Sequence, residues 1–194
     1  MAAIGGTRVA VVAFDGCVVA ASVIAAVLRA AALLNDEAAK RKALAAARFL
    51  LDNAIGADGQ VVHCLVGAVG EPTPGTLGDQ IFVALALREA HRWSGEASFV
   101  DAAVKVRRWA EVNLLDQTKG IFRDSRPPRH TLAWEALMPF ADGNQAAGNV
   151  LAAELYLREG EGERARHILG SVRALQARRS FASLGRILLL ADPG

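Results

Sequence analysis

Seven consecutive residues, Ile81–Leu87, are apolar without interruption. A helix with no wet side must be enclosed by other elements, so this run dictates an interior position. The next segment behaves differently. Phe99, Val100, Ala103, Val104 and Ala110 fall on one side of a helical wheel, with Lys105, Arg107, Arg108 and Glu111 largely on the other. That is the pattern of an amphipathic helix laid over an inner one. Ser94-Gly95-Glu96 supplies the break between them. Thr76–Asp116 therefore reads as an inner helix, a short turn and an outer helix.

The same unit recurs along the chain. An apolar helix over Cys17–Leu34 is followed by Asn35-Asp36, a break that can also cap what comes next. An amphipathic helix follows over Glu37–Asn53, with Lys40, Arg41, Lys42, Arg48 and Asp52 on its wet face. After the central hairpin, Gln145–Glu159 is again apolar, Gly160-Glu161-Gly162 is the turn, and Glu163–Ala177 is amphipathic. Ser180–Ala191 predicts a further inner helix with no outer partner. The short turns fall near Asn35, Gly95 and Gly160, 60 and 65 residues apart. Long connections alternate with them. Gly56–Gly75 carries a predicted strand over Gln60–Val66, and Lys119–Asp142 carries a short extended piece at Gly120–Phe122. In an up-down arrangement, all long loops gather at one end and all short turns at the other. Loops on a rigid scaffold carry function, so a site is expected at the long-loop end.

The predicted fold is all-α, an incomplete ring of about seven helices. Residues 1–16 form a lead-in, either a short strand or an extended segment, and residues 17–194 form the helical domain. A composition 53% hydrophobic and 22% charged excludes a disordered chain. The net charge of +2, with bases and acids mixed on outer faces, gives no basis for a nucleic-acid partner. A membrane span is disfavoured, because Asp15 and Arg29 bound an apolar stretch shorter than the ~20 residues needed. A signal peptide is disfavoured too, since Arg8 alone precedes a run that Asp15 splits. The expected location is the cytoplasm. Cys17 and Cys64 lack metal-ligand spacing and read as reduced thiols, with a disulfide left open.

At these residues the chain resembles a family. Inner helix, short turn, outer helix and long loop is the pattern of α/α-toroid proteins. These form the six-hairpin glycosidase-like superfamily, which includes N-acylglucosamine 2-epimerase and several glycosidases. The closer resemblance is to the C-terminal toroid region of thioredoxin-domain-containing proteins of the YyaL and spermatogenesis-associated type. Leu77-Gly-Asp79-Gln-Ile-Phe82 resembles the "LDDYAF" that opens one inner helix there. Asp142-Gly-Asn-Gln-Ala-Ala-Gly148-Asn149-Val-Leu-Ala-Ala153 resembles the "DGxxPSGNSxAA" that opens the next. Ser180–Gly194 is similar to the family's closing helix. Several motif positions differ: Val19–Ser22 replaces a tryptophan-asparagine-glycine motif, Gly78 one acid, and Gln80 the tyrosine.

The resemblance implies a toroid fold and two functional readings. One is a non-catalytic or weakly active scaffold or interaction module, which the altered motifs favour. The other is a carbohydrate-processing or carbohydrate-binding domain. In that reading Asp79 and Asp142 supply the carboxylate pair that glycoside chemistry needs. Gln80, Arg123, His130, Trp134, Asn144 and Asn149 would then surround the substrate. Each has a structural alternative: Asp79 as a helix cap, Asp142 as a turn residue, Asn149 as a packing hydrogen-bonder and Trp134 as a loop anchor. His63 and His130 lack a third ligand in sequence, so no metal is expected, and no cofactor fingerprint is present. An open arc leaves apolar inner helices uncovered, which predicts self-association as a homodimer.

Overall fold

The computed structural model describes residues 16–63, 75–125 and 148–176. Six helices and one small sheet are formed there: α1 (Gly16–Leu34), α2 (Glu37–Asn53), α3 (Leu77–Ser94), α4 (Ala97–Leu114), β1 (Leu115–Asp116), β2 (Ile121–Phe122), α5 (Gly148–Arg158) and α6 (Gly162–Gln176). The all-α reading holds, and the three predicted hairpins are present. The expected lead-in strand and the seventh helix lie outside the described residues, as do Cys64 and the side chain of Cys17.

Local chemistry sets the helix ends. The Asp36 carboxylate accepts hydrogen bonds from the backbone N–H groups of Ala38 and Ala39, at 3.0 and 2.9 Å, so α2 starts where the sequence places it. α3 stops at Gly95, whose φ of 74° is the left-handed conformation that glycine adopts at least cost.

Helix α3 is the hub. It packs against α1 on one side and α5 on the other, with α4 and α2 also against it; α2 also packs on α1 and α6 on α5. Ile81, Val83, Ala84, Leu85, Ala86 and Leu87 are all buried, as the apolar run requires. The inner helices α1, α3 and α5 run parallel. Near their C-terminal ends, the buried Glu89 of α3 accepts from Arg29 of α1 and Arg158 of α5, each at 3.2 Å. Near their N-terminal ends, Gly148 of α5 lies against the Leu77 side chain of α3. Parallel inner helices joined through antiparallel outer ones bring the described ends of the long loops to one end and the short turns to the other, as expected.

Two expectations need correction, and the uncovered flank expected of an open arc falls on α1. The strand predicted over Gln60–Val66 is an isolated bridge between Ile55 and Val61, residues 64–66 lying outside the described residues. Helix α1 is not enclosed all round. Ala21, Ile24, Ala25, Leu28 and Ala31 are buried, whereas Val23, Leu33 and Leu34 are 53, 84 and 77% exposed. No described inner helix covers the flank of α1 away from α3. Arg107, placed on the wet face of α4, is largely enclosed. It lies 2.7–3.1 Å from Glu111, Glu159 and Glu161, and its guanidinium sits 5.3 Å from the Tyr156 ring. Arg88 and Arg164 complete this network, which ties α3 and α4 to the α5–α6 turn.

The turn after α2 is fixed onto α4. The Trp109 indole N–H donates to Asp58 at 3.1 Å. Gly59 has φ 95°, and a Cβ there would stand 2.6 Å from the Lys105 carbonyl oxygen. Gly59→Ala is therefore expected to destabilise the protein by about 2 kcal/mol or more, combining left-handed strain with a backbone collision. Gly95→Ala, with a similar φ and nothing within 4 Å, isolates the strain alone. It should cost about 1 kcal/mol. Urea denaturation of the two variants checks the difference.

Candidate functional site

The long-loop end is built from one device used twice. After α2 the chain turns through Gly59 and places Val61 beside α3. After α4 it turns through Gly120, with φ 66°, and places Phe122 beside α5. In each case a side-chain amide from the first turn of the next inner helix holds that residue's backbone. Asn149 Oδ1 accepts from the Phe122 N–H at 2.7 Å, and Asn149 Nδ2 donates to the Phe122 carbonyl at 3.0 Å. Gln80 treats Val61 the same way, at 3.3 and 3.4 Å. Both amides are fully buried. Each stands in for a neighbouring strand and satisfies backbone groups in a buried setting, the Val61 carbonyl also accepting from the Gly75 N–H at 2.9 Å.

Asp79 lies beside the first clamp and is also fully buried. Its Oδ2 accepts from the Thr76 N–H at 2.8 Å and from the Thr76 hydroxyl at 3.0 Å, forming a capping box for α3. The same oxygen lies 2.9 Å from His63 Nδ1, whose side chain is 43% exposed. Beside a carboxylate, that nitrogen is assigned as the N–H tautomer. Oδ1 has no hydrogen-bond partner among the described residues. Asp124 lies close by. Its carbonyl accepts from the Leu77 N–H at 2.7 Å, and its carboxyl is raised above the ordinary range by burial first and by Asp79 second. In sequence, His63 stands out only as a metal-ligand candidate set aside for want of a third ligand, and Asp124 does not stand out as an acid.

Arg123 is engaged within its own loop. It donates to Asp116 Oδ2 at 2.9 Å, while Asp116 Oδ1 accepts from the Thr118 hydroxyl at 2.6 Å and from the Thr118 and Lys119 N–H groups. The Thr118 hydroxyl, followed by Arg123, holds the Asp116 carboxyl well below the ordinary carboxylate range. A depressed pKa contributes stability that is present above the unfolded-state value of about 4 and is lost as pH falls towards the folded value. The melting-temperature deficit of Asp116→Asn is thus expected to be full at neutral pH and to shrink progressively below about pH 4. Thermal scans across that range check it.

A cleft of about 290 Å³ opens elsewhere, between the β1–β2 hairpin and α5–α6. Its lining includes Leu115, Phe122, Tyr156, Arg164, His167 and Ile168. None of the described residues proposed as site residues from sequence lines it. Among the described residues, no group of three histidine, cysteine or acidic side chains could hold a metal ion.

No protein-family model and no curated protein matches the chain. Among solved structures, the crystal structure of the Lin0763 protein from Listeria innocua is similar, with a TM-score of 0.59 and 16% sequence identity. The likeness is one of fold. It covers 87% of this chain and 46% of that one, so the chain spans just under half the length of that protein.

The structure thus brings Asp79 and Gln80 together at the start of α3, and sets Asn149 against Phe122, next to Arg123. All three buried side chains hold the protein's own backbone. Asp142, Asn144, Trp134 and His130 lie outside the described residues. The clamps had a signal in the sequence: Gly59-x-Val61 and Gly120-x-Phe122 recur 61 residues apart, each upstream of an amide near an inner-helix start.

Proposed function

We propose that this chain is a non-catalytic or weakly active α/α-hairpin module, half of an α/α toroid, that serves as a scaffold for interaction. The observation that carries this reading is the fate of the polar residues at the inner-helix starts. Asp79, Gln80 and Asn149 are fully buried, and each bonds the chain's own backbone. Gln80 and Asn149, with both amide atoms engaged, cannot also bind an external sugar without releasing their loops. A thermal-shift screen against neutral and acidic mono- and oligosaccharides is expected to give no saturable shift. A saturable shift that disappears in Asp79→Asn or Asn149→Ser chains, with the fold intact, would overturn the reading.

One observation favours a second reading, a carbohydrate-processing or carbohydrate-binding domain. A buried carboxylate orienting a half-exposed histidine, with a second acid nearby, is an arrangement suited to proton transfer. Hydrolysis of aryl glycosides that is lost in both His63→Gln and Asp124→Asn would support it. Absence of any such turnover returns the conclusion to the scaffold.

A further inference from the structure

The interaction half of the reading above requires a surface, and α1 carries one. Four residues run in line along its uncovered flank, Val23, Ala26, Ala30 and Leu33, all exposed, with Leu34 exposed at its end. Their spacing of three, four and three residues is the seam along which one helix packs on another. The buried stripe of α1, which includes Ala21, Ile24, Ala25 and Leu28, faces its partners α2 and α3 from the other side of the helix. The one charged residue of α1, Arg29, is engaged with Glu89 of α3. A partner laid along the seam therefore buries no uncompensated charge.

The order of sizes along the seam identifies the partner. Read in either direction it runs large, small, small, large. Reversed against itself, Val23 meets Leu33 and Ala26 meets Ala30, so the two alanines let the backbones approach at the centre. A surface complementary to itself under a two-fold rotation is the signature of an isologous dimer. A bilayer is a weaker occupant, because no described helix is long and apolar enough to cross one. From this geometry we infer that α1 pairs antiparallel with α1 of a second copy of this chain. One helix face is smaller than the roughly 800 Å² per partner of a standard interface. Association in the micromolar range is the corresponding expectation.

Two experiments on the full chain test the proposal. In sedimentation velocity, the wild-type chain is expected to shift from monomer to dimer as concentration rises to about 100 µM. Leu33→Lys should remain monomeric with an unchanged melting temperature, since Leu33 is 84% exposed. The second experiment removes the native thiols by Cys17→Ser and Cys64→Ser. In that background, chains carrying Val23→Cys mixed with chains carrying Leu33→Cys should form a disulfide-linked pair under mild oxidation. Val23→Cys alone should not. A wild-type monomer throughout overturns the proposal and leaves the seam to the chain's own remaining segments. A dimer that persists in Leu33→Lys, or self-cross-linking of Val23→Cys, overturns it by placing the contact elsewhere or in parallel. Sugar binding would refute the scaffold reading without altering any of these results, so the two failures are distinguishable.

Discussion

Arg107→Ala is expected to lower stability by about 3–5 kcal/mol, because removing one partner of an enclosed ion network leaves the others without compensation. The Arg107 side chain is 16% exposed and lies between Glu111, Glu159 and Glu161. Glu159 is the most exposed to the loss. Its side chain is 4% accessible, and burial already raises its carboxyl above the ordinary range despite Arg107 and Arg88. Its compensation comes from two guanidinium groups, Arg107 at 3.0 Å and Arg88 at 2.5 Å. The sign of the pH dependence follows. A carboxyl with a raised folded-state pKa favours folding when protonated, and that advantage fades as pH rises through the folded value. The Arg107→Ala deficit should accordingly be larger at pH 7 than at pH 5. Chemical denaturation at both values checks this. For a chain of this size the loss at pH 7 amounts to a melting-temperature drop of about 10 °C. Adding Glu159→Gln to Arg107→Ala should recover part of the loss, because the stranded charge is then gone.

The second large effect is expected at Asn149. Asn149→Ala would strand both the N–H and the carbonyl of Phe122, a residue 1% exposed. Each buried unpaired group costs about 1–3 kcal/mol, so the total for the two is about 2–6 kcal/mol. Gln80→Ala should cost less, since its bonds to Val61 are longer, at 3.3 and 3.4 Å against 2.7 and 3.0 Å. Hydrogen exchange adds a local readout. The Phe122 amide should lose protection in Asn149→Ala by more than neighbouring α5 amides do.

These two sites show where sequence reasoning stops. The limits of α2 were legible because Asp36 caps its start and the wet and dry faces are clean. The α3–α4 hairpin was legible because an all-apolar run has few places to go. The enclosure of Arg107 was not, because what encloses it is the α5–α6 turn, some fifty residues on. Helical periodicity assigns a face, and it cannot say that a later turn will cover that face. That an end helix would keep an apolar flank was legible from the open arc, whereas which residues form it, Val23 and Leu33 among them, was not. An apolar flank implies a neighbour, and no described helix supplies one. The pairing of His63 with Asp79 spans sixteen residues through a long loop, a path that no local pattern encodes. Gln80 and Asn149 drew attention as polar residues in apolar surroundings. The backbone they hold became visible only once Val61 and Phe122 were placed.

Both amide clamps reach backwards along the chain, from an inner helix to the loop laid down before it. A hairpin emerging from the ribosome thus remains unlatched until its successor begins to coil. Completion of the domain is ordered from the N-terminus, one unit waiting on the next, and a chain cut between Phe122 and Asn149 would carry its last loop loose.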